Sequence, residues 1–235
     1  MNFDDIIKEK LKLIDMNITK KEIKDFKLYM NLLLQWNEKI NLTAITNEDD
    51  IILKHFVDSL TVMKYINNND SVIDIGTGAG FPGIPLSIMN GNIKLTLMDS
   101  LNKRINFLNE IVKELDLKNV KTIHSRAEEL ARNKIYRENF DIAVSRAVAN
   151  LCTLSEYMLP FIKVGGKCIC MKGPNIDDEV NNAKNAIREL GGKIVKIDNF
   201  MLENNERNIV IIEKISSTKS KYPRKAGIPS KDPLK

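Results

Sequence analysis

The chain has 235 residues, 43% hydrophobic and 29% charged, with a formal net charge of +5. This suits one globular domain with its own core and room for a small extension. No run approaches the roughly 18 apolar residues of a membrane span. The opening MNFDDIIKEK lacks the apolar stretch of a secretory signal, so a cytoplasmic protein without membrane contact is expected.

The first 66 residues read as helices. Ile23, Phe26, Met30, Leu33 and Ile40 recur at helical spacing across residues 20–40. Ile52, Phe56, Leu60, Met63 and Ile66 do the same across 48–66, where Glu48, Asp49 and Asp50 suit a helix N-terminus. Core packing is expected for Phe26 and Trp36. After the turn NNND (67–70) the pattern becomes alternating strands and helices. Strands are predicted at SVIDI (71–75), IKLTLM (93–98), VKTIH (120–124), FDIAV (140–144), GGKCICM (165–171), GGKIVKIDNF (191–200) and RNIVIIEKI (207–215). Helices are predicted at 101–115, at 151–162 with an end near Pro160, and at 177–190. Such alternation implies a parallel sheet covered on both faces. The link between the last two strands is too short for a parallel crossover, so the seventh strand should run antiparallel to the sixth. That is the layout of the Rossmann-like methyltransferases.

The last 22 residues carry seven Lys or Arg and one Asp, so the tail is +6 and the rest of the chain −1. A basic tail suits a polyanion such as nucleic acid. Three stretches are therefore expected: a helical extension (1–66), an α/β domain (67–215) and a basic tail (216–235). Cys152, Cys168 and Cys170 lack C-x-x-C spacing. They are expected as buried thiols in a reducing compartment, with no metal.

DIGTGAGFPGIP (74–85) places four glycines and two prolines in a strand-to-helix turn. Gly78, Gly80 and Gly83 match the dinucleotide pattern G-x-G-x-x-G, but the neighbours oppose it. Asp74 would repel a pyrophosphate, and Pro82 and Pro85 remove N–H donors that would cradle one. No Lys-Ser/Thr pair follows, so it is not a Walker A loop. S-adenosylmethionine, with an ammonium, a carboxylate and no phosphate, fits better. Asp74 would face the ammonium through water, and Asp99, ending the second strand, suits ribose hydroxyls. After the third strand, the Ala127 N–H and the Glu128 side chain are placed to meet the adenine. His55, Asp58 and Ser59 have the side chains of a hydrolase triad but share one helical turn; packing or hydrogen bonding is expected of His55.

These residues resemble a known family, the bacterial 16S ribosomal RNA guanine-N7 methyltransferases, or glucose-inhibited division B family, over nearly the whole chain. WNEKINLTAI (36–45), HFVDSL (55–60), VIDIGTGAGFPGIPL (72–86), LMDSLNKRINFL (97–108), SRAEE (125–129), VSRAV (144–148) and MKG (171–173) carry the likeness. The proline after Phe81 and the SRA triplet are its more specific parts. The resemblance implies a class I α/β fold: a seven-stranded, mainly parallel sheet with an antiparallel last strand, preceded by a helical extension. It implies methyl transfer from S-adenosylmethionine to N7 of a guanine in 16S rRNA, as naked RNA or within the small ribosomal subunit. Gly76, Gly78, Phe81, Ala127, Glu128 and Arg146 correspond to the family's cofactor positions. Arg146 and Lys172 stand where the family has basic residues facing the transfer site. YPRKAGIPSKDPL (222–234) resembles a tail that some members lack, so it is expected to aid RNA binding without serving the chemistry.

Guanine N7 has a free lone pair in the neutral base, so its attack needs no general base. Alignment of nitrogen, methyl and sulfur then carries catalysis. The chain agrees in lacking an Asp/Asn-Pro-Pro-aromatic motif after the fourth strand and a Pro-Cys nucleophile. Arginine usually reads guanine through O6 and N7 together. With N7 kept open, Arg146 is expected to contact O6, a phosphate or the cofactor carboxylate. Two other readings remain: a methyltransferase of this fold with a non-RNA substrate, and a non-catalytic RNA-binding module. A monomer is the default expectation.

Overall fold

The protein is described by a computed structural model covering residues 2–234. Helix α1 (Phe3–Leu11) starts where the Asn2 side chain accepts the Asp5 N–H, and it buries Phe3, Ile7 and Leu11 along one stripe. Helix α2 (Lys20–Ile40) opens with a capping box between Thr19 and Glu22 and ends at Asn41 in the left-handed conformation. It buries Ile23, Phe26, Tyr29, Met30 and Leu33.

The single helix expected over 48–66 is broken. It comprises α3 (Glu48–Ile51), a π-helical stretch (Ile52–Val57), the short α4 (Asp58–Leu60) and a 3-10 turn at Met63–Tyr65. From Ile51 to Val62 every residue but Lys54 is buried. A segment enclosed on all sides has no single apolar stripe, so the spacing of one face says little about turn width. π-Turns are rare and often mark functional sites.

The sheet follows. Strand β1 (Ser71–Ile75) leads to α5 (Gly83–Met89), β2 (Lys94–Asp99) to α6 (Asn102–Glu114), and β3 (Val120–His124) to α7 (Ala127–Leu130). Strand β4 (Phe140–Arg146) precedes α8 (Leu151–Met158), which gives way to a 3-10 turn at Pro160. Strand β5 (Ile162–Lys172) precedes α9 (Asp177–Glu189), and β6 (Gly192–Leu202) and β7 (Asn205–Lys214) form a hairpin. The strand order is β3-β2-β1-β4-β5-β7-β6. Strands β1 to β5 pair in parallel, and β7 runs antiparallel to both neighbours. The expected seven-stranded sheet with an antiparallel last strand is present. β7 inserts between β5 and β6, which leaves β6 at the edge.

Successive strand residues face opposite layers. Val72, Ile169 and Ile211 join the core shared with α1, α2, α5 and α6. Ile73, Cys168, Cys170 and Ile212 join the core under α8 and α9. All three thiols are buried and free. The tail folds back onto this second layer, where Tyr222 is buried, and ends in the short α10 (Ile228–Lys231). Among the described residues no helix is long and apolar enough to cross a membrane. The strand order reverses between β1 and β4, so the crevice for a ligand lies at the carboxyl ends of these strands.

α5 packs onto β2 through the missing side chain of Gly83. A Cβ there would lie 2.4 Å from Leu97 Cδ2 and 2.8 Å from Asp74 Oδ2. Gly83→Ala should therefore destabilise the protein by about 1–3 kcal/mol through overpacking. Urea unfolding measures this, and an unchanged midpoint would contradict the packing described.

Candidate active site

The loop after β1 turns on glycines in the left-handed region, Gly76 at φ +67° and Gly78 at φ +62°, where a side chain is strained. Two carboxylates hold the loop. Asp74 Oδ2 accepts the Thr77 hydroxyl at 2.7 Å and the Gly83 N–H at 2.8 Å. Asp99 Oδ2 accepts the Gly78 N–H at 2.9 Å and Arg104 Nη1 at 3.2 Å, while its Oδ1 accepts the Leu101 N–H at 2.9 Å. Asp74, expected to face an ammonium, is wholly buried beneath the loop, and its Oδ1 has no hydrogen-bond partner. Burial pushes this carboxyl up to about 7, against the pull of its bonds to Thr77 and Gly83.

Two cavities open on the crevice. The smaller, of about 140 Å³, is lined by Gly76, Met98, Ser100, Ala127, Glu128 and Val148, among others. Glu128 is nearly buried, and its Oε1 accepts the Gly227 N–H of the tail at 2.8 Å. Val148 roofs the cavity: a Cβ on Gly76 would lie 2.6 Å from Val148 Cγ2. The expected cofactor residues Gly76, Ala127 and Glu128 thus meet here. Gly78 and Asp99 hold the loop beside them. Tyr157 of α8 also lines this cavity, and no local motif marks it.

The larger cavity, of about 370 Å³, includes Lys54, His55, Asp58, Arg146, Lys172 and Arg207 in its lining. Arg146, at the end of β4, donates through Nη1 to the Lys54 carbonyl and to Asp58 Oδ2, both at 2.9 Å. Its Nη2 lies 3.2 Å from His55 Nδ1. Phe81, expected at the cofactor, is buried and packs against these groups instead, with the His55 ring stacked on it at 4.5 Å and the Arg146 guanidinium 4.9 Å from its centroid. A guanidinium only donates, so His55 Nδ1 accepts and the imidazole proton sits on Nε2, 2.8 Å from Thr43 Oγ1. Burial and the Arg146 charge lower the His55 pKa to about 4. Asp58 is buried and holds a second arginine, accepting Arg207 Nε on Oδ1 at 2.6 Å. Lys172 Nζ donates at 2.6 Å to both the Ala149 carbonyl and Glu179 Oε1.

His55 and Asp58 therefore belong to the site as partners of Arg146, while the Ser59 hydroxyl bonds the His55 carbonyl within its own helix. Arg207 went unrecognised in the sequence, where it reads as the first residue of a strand. The arrangement offers a small pocket with a carboxylate beside a helix N–H, and a cationic pocket with no free base.

A family model, GidB: rRNA small subunit methyltransferase G, matches residues 22–210. The ribosomal RNA small subunit methyltransferase G of Clostridium perfringens strain 13 (Type A) is 53% identical over 239 residues, covering 100% of both chains. That of Alkaliphilus metalliredigens is 47% identical over 234 residues, covering 98% of each. Solved structures share the fold at low identity. TYW2 of M. jannaschii in complex with AdoMet has a TM-score of 0.55 at 18% identity, covering 68% of this chain and 76% of that one. A SAM-dependent methyltransferase from Aquifex aeolicus has a TM-score of 0.52 at 20% identity, covering 69% and 93%. The fold is that of the class I methyltransferases. With most of its length matched by the family model and relatives near half-identical from end to end, this chain belongs to the GidB family, the rRNA small subunit methyltransferases G.

Proposed function

We propose that this protein transfers the methyl group of S-adenosylmethionine to N7 of a guanine in 16S rRNA, acting in the cytoplasm on the RNA of the small ribosomal subunit. One observation carries the reading: consecutive residues Ala147 and Val148 line different cavities, Ala147 the larger and Val148 the smaller. A methyl donor in one pocket would face an acceptor base in the other across this loop. Residues 67–215 hold the transfer machinery, residues 1–66 supply the acceptor wall through His55 and Asp58, and residues 216–235 are the tail.

The lining of the smaller cavity suits the nucleoside end of the cofactor. Glu128 offers an acceptor and the first-turn N–H of Ala127 a donor, the complement of an aminopurine edge. Gly76 leaves space that a Cβ would fill. Asp99 stands at the strand end suited to ribose. When bound, S-adenosylmethionine supplies an electrophilic methyl on a sulfonium. With the acceptor nitrogen held in line by the loop residues, its lone pair would form the new N–C bond as the C–S bond broke, and the positive charge would pass from sulfur to the base.

The acceptor pocket suits a base that needs no deprotonation. Both Asp58 oxygens take arginines, and both His55 nitrogens are engaged. The guanine would become cationic beside Arg146, whose charge Asp58 offsets at 2.9 Å. Pinned by Lys54, His55 and Asp58, Arg146 keeps a fixed direction from which to meet guanine O6, a phosphate or the cofactor carboxylate. Lys172 ties the 147–150 loop to α9 through Ala149 and Glu179.

Arg146→Ala should lower methylation of small subunits roughly 100-fold by releasing the acceptor geometry. Lys172→Ala should lower it roughly tenfold, the worth of one charge-assisted bond. Full activity in both variants, measured by methyl label in 16S rRNA, would refute these roles. A pH dependence follows from His55. Its folded pKa of about 4 lies below the ordinary imidazole value of 6.5, so the unfolded chain binds the extra proton between those values. Stability from neutral His55 is complete above pH 6.5 and is lost as pH falls toward 4. His55→Gln should flatten the loss in that window in thermal melts, and an identical pH profile would contradict it.

A further inference from the structure

The basic tail meets the smaller cavity at one hydrogen bond, from the Gly227 N–H to Glu128 Oε1 at 2.8 Å. Gly227 sits at φ +83°, a conformation glycine adopts freely, and this turn aims its N–H at the carboxylate. A second anchor holds the tail in place. The Arg224 backbone N–H donates to Glu156 Oε1 at 2.6 Å, and its guanidinium reaches the same carboxylate through Nε at 3.1 Å and Nη2 at 2.8 Å. Glu156 has no exposed surface. The Thr153 hydroxyl, also on α8, donates to the Pro229 carbonyl at 3.0 Å. Tyr157, next to Glu156, lines the cavity.

The tail thus grips two parts of the cavity wall, Glu128 and α8. Breaking a buried, multiply bonded Arg–Glu contact leaves an uncompensated charge, so the docked tail is a specific state of the molecule. Lys219 and Lys221 pair with Glu189, so several tail cations are directed at the protein itself.

We propose that docking of the tail is coupled to cofactor binding, with Gly227 as the positioning residue. Its N–H holds one oxygen of Glu128 so that the other faces the cavity, ready for the amino group of a bound nucleoside. By linkage, bound cofactor strengthens tail docking to the same degree. The inference rests on the reading of Glu128 as a cofactor residue.

Two variants test it. One chain ends at Pro223 and carries Glu156→Gln, so that no buried charge is orphaned. The other is full-length Gly227→Pro, which lacks the N–H and cannot reach φ +83°. The truncation and Gly227→Pro lie beyond β7 and Glu156→Gln lies in α8, and thermal melts verify that the body is folded. By calorimetry, S-adenosylmethionine should bind each roughly tenfold more weakly than the parent protein. Saturating cofactor should also slow trypsin cleavage at Lys225 and Lys231 in the parent protein and not in Glu128→Ala, a readout that mere structural support would not move. Unchanged or tighter binding in the tail variants overturns the coupling. So does a truncation effect of full size in the Glu128→Ala background. Glu128→Ala separates the two readings: normal cofactor binding there removes the role of Glu128 and the coupling with it. Weakened binding there, with normal binding in the tail variants, removes the coupling alone.

Discussion

Asp74 has no exposed surface, yet its Oδ2 takes the Thr77 hydroxyl and the Gly83 N–H and so joins the two ends of the loop between β1 and α5. Its other oxygen has no partner, a desolvation cost that lifts the pKa to about 7. The cost secures a fixed loop path. That path puts Phe81 under the Arg146 guanidinium and Gly76 under Val148. Tyr29 of α2 seals it from outside, its hydroxyl donating to the Ala79 carbonyl at 2.5 Å. Both cavities depend on where this loop runs.

The acceptor pocket is organised by a second buried carboxylate. Asp58 holds Arg146 and Arg207 on separate oxygens, which leaves one net positive charge among the three groups. A site with that charge attracts a phosphate chain, and the Asp58 carboxylate offsets part of the repulsion that a base becoming cationic meets from the two guanidiniums. His55 adds geometry without charge: it stacks on Phe81 and accepts from Arg146 while its pKa stays near 4. Rigid alignment is what a lone-pair attack on a methyl group needs from a protein.

Much of this was legible in the sequence, for reasons that can be named. The β1 loop, Asp99 and Ala127–Glu128 follow strands, and strand ends converge by topology alone. The antiparallel β7 followed from the shortness of its link to β6. The pairing of β7 with β5 did not, because hydrogen-bond partners across a sheet leave no mark on either strand. The 48–66 segment misled because its apolar residues point in every direction. Asp58 and Arg207 are 149 positions apart, and Arg224 and Glu156 are 68 apart, so neither ion pair could be read from local spacing. Counting charge showed a basic tail suited to a polyanion, but not that the Arg224 guanidinium is committed to the Glu156 carboxylate inside the fold.

The central claim is the identity of the acceptor atom. It is tested most directly with small ribosomal subunits from cells lacking this protein, incubated with the purified protein and methyl-labelled S-adenosylmethionine. The 16S rRNA is then digested and its labelled nucleoside identified. The account predicts a single labelled species, N7-methylguanosine. Label on another nucleoside, or none in RNA despite measurable cofactor binding, would contradict it.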